Sequence, residues 1–327
     1  MKKAAVATFL TVAVLALLPG LGENAAFAAG PSRLQMSVVP ADAQWVMHLD
    51  MERLVSSSIF KLLTESGKGF DIQKKTAPFA EKFKMDPLKD IKGVTVFGRA
   101  KAGEEPVVAL SGSFNKDSLL GLLRTESSFK ETPYGEHTLY NWDGEHFGVF
   151  VNDSLALISE NEADMKAALD ALDGKTKNVS ASPLVALIKK ESDHAMIEFA
   201  LADISRLTGQ AKEVGAVQAL PAMLTQMQSI SGFVSETGDK LNLRIEIGAE
   251  NDQVALSIQQ TIQGLVALMN LQFKEDAQPI TQGMNVKTDG KQVRIEASYL
   301  VPELTKIIQQ RREHKEHKAA EQEAPKQ

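Results

Sequence analysis

Ser58, Ile59, Phe60 and Lys61 form an S-x-x-K pattern. That spacing sets a lysine one helical turn from a serine, where its amine could take up the hydroxyl proton during acyl transfer. The companion motifs of such enzymes are missing. No S-D-N occurs, and Lys287-Thr288-Asp289-Gly290 reads as a hairpin turn, not a K-T-G. The same four residues suit an amphipathic helix with a solvated Lys61, and that reading is preferred. A serine acyl enzyme or hydrolase built on Ser58 and Lys61 is the alternative.

Metal and acid–base chemistry have thinner support. His314 and His317 stand at i,i+3 beside Glu313 and Glu316, but in a tail crowded with lysine and lacking an apolar stripe. Such a segment is a solvated charged stretch, and no metal or cofactor is expected. Asp50 and Glu52 sit where a strand hands over to a helix, which is where carboxylates cap and complement a helix N-terminus. No H-E-x-x-H, Walker A, G-x-G-x-x-G or G-x-S-x-G occurs.

Three residues are binding candidates. Tyr140-Asn141-Trp142-Asp143-Gly144 reads as a strand edge and turn, and Tyr140 and Trp142 could form an aromatic patch with Trp45 and Tyr134. Arg244 lies on the polar side of an alternating strand, which could be an open interaction face. Met223, Met227, Met269 and Met284 could line an adaptable apolar groove, although methionines more often fill core gaps.

The elements that must position these residues follow from periodicity. Leu241, Leu243, Ile245 and Ile247 alternate with Asn242, Arg244 and Glu246, and Val293-Arg294-Ile295-Glu296-Ala297 alternates too. Strict alternation predicts half-buried antiparallel strands covered on one face. Turns are expected at Gly238-Asp239 and Asp289-Gly290. Helices are expected over Met51–Thr64, Glu162–Leu172 and Asp252–Met269. The last should carry a stripe of Val254, Ile258, Ile262, Leu265 and Met269 behind an Asn251 cap.

The order of these elements occurs twice. Gln44–Leu49 and Ala195–Ala200 each read as a strand leading into a helix, and Ile91–Phe97 and Ile230–Val234 each follow. The expected fold is therefore α+β, with two similar units, each a largely antiparallel sheet with helices packed on one face. Unit 1 spans residues 29–177 and unit 2 residues 178–312, with a charged, disordered tail over 313–327. The boundary falls in the turn-rich stretch Asp173–Pro183, and Glu126–His137 reads as a second loose region.

Residues 1–28 are read separately. Met1-Lys2-Lys3, an apolar run from Ala4 to Leu18, Pro19-Gly20 and Ala26-Phe27-Ala28 have the layout of a Sec signal peptide. The mature chain is expected in the periplasm or secreted, with no transmembrane segment after cleavage. Of 327 residues none is cysteine, and the 43% apolar and 24% charged fractions are those of a globular protein that must rely on packing alone. The net charge of −6 argues against a nucleic-acid partner.

Val39-Pro40-Ala41-Asp42-Ala43-Gln44-Trp45-Val46-Met47-His48-Leu49-Asp50-Met51-Glu52-Arg53-Leu54 resembles the start of exported bacterial repeat proteins of unknown function. In those a P-A-D-A turn leads into a strand and then a helix. The resemblance implies an exported α+β repeat protein without an established activity, and carries over no functional residue. The whole reading is an exported, non-enzymatic binding or interaction protein of the cell envelope, with an unknown protein or small ligand as partner. Its rivals are the serine enzyme and a carrier of an apolar ligand.

Overall fold

Alternating apolar positions build one continuous twelve-stranded sheet in the computed structural model. Residues 33–65, 76–77, 80–81, 84–99, 105–188, 194–204, 225–272, 281 and 283–308 are described. The first seven strands are β1 (Trp45–Asp50), β2 (Ile91–Gly98), β3 (Val107–Gly112), β4 (Lys130–Tyr134), β5 (His137–Asn141), β6 (Phe147–Asn152) and β7 (Leu155–Ser159). The remaining five are β8 (Ala195–Ala202), β9 (Met227–Thr237), β10 (Lys240–Ala249), β11 (Met284–Asp289) and β12 (Gln292–Leu300). The helices are α1 (Met51–Ser56), α2 (Ser58–Glu65), α3 (Pro87–Asp90), α4 (Lys116–Leu123), α5 (Glu162–Leu172), α6 (Leu184–Ile188) and α7 (Asp252–Gln272). Residues 301–308 are also helical.

The fold is α+β with an antiparallel sheet. Its strand order is β11-β12-β10-β9-β8-β1-β2-β3-β7-β6-β5-β4. Read outward from the β1–β8 pair, the two sides match. Each runs through three sequential strands, then a helix, then a hairpin whose second strand lies inside its first. The β4–β5 hairpin has no partner on the other side among the described residues.

Helix cover differs between the two sides. On β10 and β12, Ile247, Val293 and Ile295 pack under Ala255, Ile258 and Ile262 of α7. On the other face the polar side chains pair with one another. Arg244 meets Glu296 at 2.9 Å, Arg294 meets Glu246 at 2.9 Å, and Ser298 donates to Asn242 at 2.9 Å. One-face cover, as alternation predicts, holds here. The strands β1–β3 and β7 are apolar on both faces and carry two helical layers. Val46, Phe97, Val107, Ala109 and Leu157 pack with α5, α6 and the 3-10 turns Met36–Val38 and Val179–Ala181. Leu49, Val94, Val96 and Leu110 pack with Met51, Phe60 and Met85 on or beside α1, α2 and α3. Such near-continuous apolar runs belong to strands buried on both sides.

Several local features differ from expectation for identifiable reasons. The helix expected over Met51–Thr64 breaks at Ser57. The Ser57 hydroxyl donates to the Leu54 carbonyl at 2.7 Å and accepts the Phe60 N–H at 3.2 Å, closing one helix and opening the next. The loose region expected at Glu126–His137 instead folds into the β4–β5 hairpin, turning at Gly135 with φ +60°. Pro133 is tolerated because β4 is the sheet edge, where no further strand needs its N–H. The boundary stretch is tied down as well: the Val179 N–H donates to the Val39 carbonyl at 2.7 Å.

Other expectations match. Asn251 caps α7 by accepting the Val254 N–H at 3.0 Å. Gly238 and Gly290 turn their hairpins at φ +62° and +55°, which a side chain would resist. The α7 stripe is buried only in part, since Leu268, Met269 and Leu271 remain exposed. By length and composition alone, Asp252–Leu271 is apolar enough to cross a membrane; here it lies against β10–β12. Residues 1–28 and 313–327, with His314 and His317, lie outside the described residues.

Candidate functional site

The two aromatic candidates come together. Tyr140 is the penultimate residue of β5 and Trp142 follows the strand's end, and both turn inward at 6% and 4% exposure. They line an almost wholly apolar cavity of about 90 Å³, partly open, between α4 and the sheet. Phe114, Leu119, Leu123, Phe150 and Ile158 complete most of its wall. A single water needs only about 10–15 Å³ of such space, and an apolar wall offers it few partners. The cavity therefore favours an apolar occupant.

Packing fixes the wall. Tyr140 meets Phe150 edge-on at 6.2 Å and stacks on Phe129 at 6.2 Å, while Phe114 and Phe150 are 6.4 Å apart. Trp142 stacks on His146 at 5.8 Å. His146 is held by Asp143, whose carboxylate lies 2.7 Å from Nδ1 and also accepts the His146 N–H at 2.9 Å. Ser128 donates to the Trp142 carbonyl at 2.9 Å. The opposite edge of the indole lies against Gly148, where a Cβ would stand 2.9 Å from Cζ3. Glycine is needed for that close approach. The Trp142 Nε1 is buried without a hydrogen-bond partner among the described residues.

A second cluster lies at the β1–β8 junction. His48 and Glu198 are cross-strand partners, 3% and 9% exposed. His48 Nδ1 is 2.9 Å from the Thr95 hydroxyl. Burial pushes the Glu198 carboxyl up to about 7; the Asp50 charge adds to the rise and Arg53 opposes it. Asp50 is itself raised by burial, against the Arg53 N–H it accepts at 2.9 Å. That bond makes Asp50 the cap of α1, as its position predicts. Beside Glu198, a cleft of about 20 Å³ reaches Ser231, Arg244 and Glu246, enough for a water but little else.

The other candidates are not gathered into either place. Arg244 pairs with Glu296 and lies over the Phe233 ring at 5.7 Å, so it is held in the polar ladder of the sheet. Ser58 begins α2, where its N–H and that of Ile59 donate to Glu236 of β9 at 2.5 and 3.0 Å. Lys61 is exposed, and its N–H donates to the Ser57 carbonyl at 3.2 Å. Met227 and the half-buried Met284 join one core cluster under α7, Met269 is 44% exposed, and Met223 lies outside the described residues. Among the described residues no three His, Cys, Asp or Glu side chains are grouped to hold a metal.

Sequence reasoning missed Phe114, Phe150, Leu119 and Leu123 as cavity residues, and missed the His48–Glu198 pair. Phe150 carries a local signal, since it lies on an apolar strand two residues from Gly148.

No family model matches the chain, and no curated protein matches it. Solved structures are similar in outline. Crystal form III of TP0453 matches at a TM-score of 0.48 with 11% identity, covering 86% of this chain and 98% of that one. Crystal form IV matches at 0.48 with 10% identity, covering 86% and 97%.

Proposed function

We propose that the chain is an exported, non-enzymatic binding protein of the cell envelope that holds an apolar ligand in the cavity beneath α4. The observation that carries this reading is the aromatic, nearly polar-free wall around about 90 Å³. The layout of residues 1–28 supports export to the periplasm or beyond. The matching strand order on the two sides of the β1–β8 pair supports two similar units, as in the exported repeat proteins that residues 39–54 resemble.

An enzymatic role for Ser58 and Lys61 has less behind it. Ser58 lies at a helix start where the Glu236 carboxylate is taken up by the Ser58 and Ile59 N–H groups, and Lys61 points to solvent-exposed surface. A calorimetric titration with 1-decanol tests the binding reading. Saturable one-to-one binding with a negative heat-capacity change is expected, because apolar surface leaves water. Leu119→Trp fills the cavity from a half-exposed helix position and should abolish binding while the far-ultraviolet circular dichroism is unchanged. Undiminished binding by that variant would place the ligand elsewhere.

A further inference from the structure

The rim of the cavity carries a charge that the sheet does not neutralise. Lys116 opens α4, and its Nζ lies 6.0 Å from the centre of the Phe150 ring, which is part of the cavity wall. No carboxylate forms an ion pair with Lys116 among the described residues. The cation at the other end of this helix, Arg124, is different. It is bound to Glu131 at 2.7 and 3.0 Å, beyond the C-terminus of α4.

The cavity thus has polarity along its length. Gly148, against which Trp142 packs, and Phe150 are two residues apart on β6, roughly 7 Å at strand rise. Trp142 walls the Gly148 end, and Tyr140 meets Phe150 farther along. Phe114 and Phe150 wall the other end, where Lys116 stands. A ligand with an alkyl chain among the aromatics would bring its head to an unpaired ammonium.

We propose that the ligand of this cavity is a single-chain amphiphile with an anionic head, its chain between Trp142 and Phe150 and its head at Lys116. The proposal rests on the apolar-ligand reading and adds the head group. An exposed ion pair contributes about 0.2–1 kcal/mol, so the preference it creates is at most about fivefold. It should shrink as salt screens it.

Three ten-carbon probes separate the outcomes: decanoate, 1-decanol and decyltrimethylammonium, each titrated below its micelle concentration. Decanoate should bind about three- to fivefold more tightly than decanol, and the ammonium probe more weakly than either. In Lys116→Glu the order of the two charged probes should reverse. Lys116 is exposed, so the variant should fold as the parent does. If all three probes bind alike to both proteins, the head-group proposal is overturned and the apolar cavity stands. If none binds, the cavity reading fails and the proposal with it.

Discussion

At pH 8, Glu198→Gln should raise the unfolding free energy by about 3 kcal/mol, and at pH 5 by less than about 1 kcal/mol. The carboxyl has an ordinary value of 4.5 and is held at about 7 in the folded chain. The folded state therefore retains its proton where the unfolded chain has lost it. Stability from this group is fully present below pH 4.5 and is lost as pH rises through 7. Above that, a second charge stands beside Asp50 at the β1–β8 junction, with Arg53 opposing the repulsion. Glutamine keeps the shape and removes the titration. Urea melts of both proteins across pH 5 to 8 measure the difference. A constant gap across that range would mean that Glu198 does not titrate with folding.

Gly148→Val should destabilise the protein by about 1–3 kcal/mol. A Cβ at this position stands 2.9 Å from the Trp142 ring, which is stacked on His146 on one face. Because Trp142 lines the cavity, a displaced ring narrows it, so the variant should also lose decanol binding. Thermal melts and calorimetry check the two effects separately. Full stability with intact binding would show that the indole is free to move, and that the wall is not the packed surface described.

Much of this fold is legible in the residues. Ile245, Ile247, Val293 and Ile295 pack under α7 as their alternation reads, with Arg244, Glu246, Arg294 and Glu296 paired on the other face, whereas Leu241 packs with Ile59 and Val301. Asn251, Gly238 and Gly290 are local signals with local consequences. The boundaries that failed depend on contacts from afar. Glu126–His137 has the composition of a loop, yet the Tyr134 hydroxyl donates to Asp170 at 2.9 Å and His137 lies 2.8 Å from Asp173. Those partners on and beside α5 hold the hairpin, and no window of sequence contains them both.

The site divides in the same way. Tyr140 and Trp142 are conspicuous as aromatics in a turn-rich stretch, and they do line the cavity. The rest of its wall comes from α4, β3, β6 and β7, with Met85 and Phe114 from the connections, brought together by the strand order. His48 and Glu198 belong to strands that pair across the centre of the sheet, and neither residue is unusual in its own segment. Arg244 stood out for its exposed side of an alternating strand, but a cross-strand Glu296 and the Phe233 ring engage it.

The central claim is that the space beneath α4 holds an alkyl chain. Crystals soaked with 1-bromodecane test it, because the bromine marks its own position by anomalous scattering. The account predicts a bromine peak bounded by Phe114, Trp142, Phe150 and Ile158, absent from Leu119→Trp crystals. Bromine bound elsewhere on the molecule, with that space empty, would contradict it.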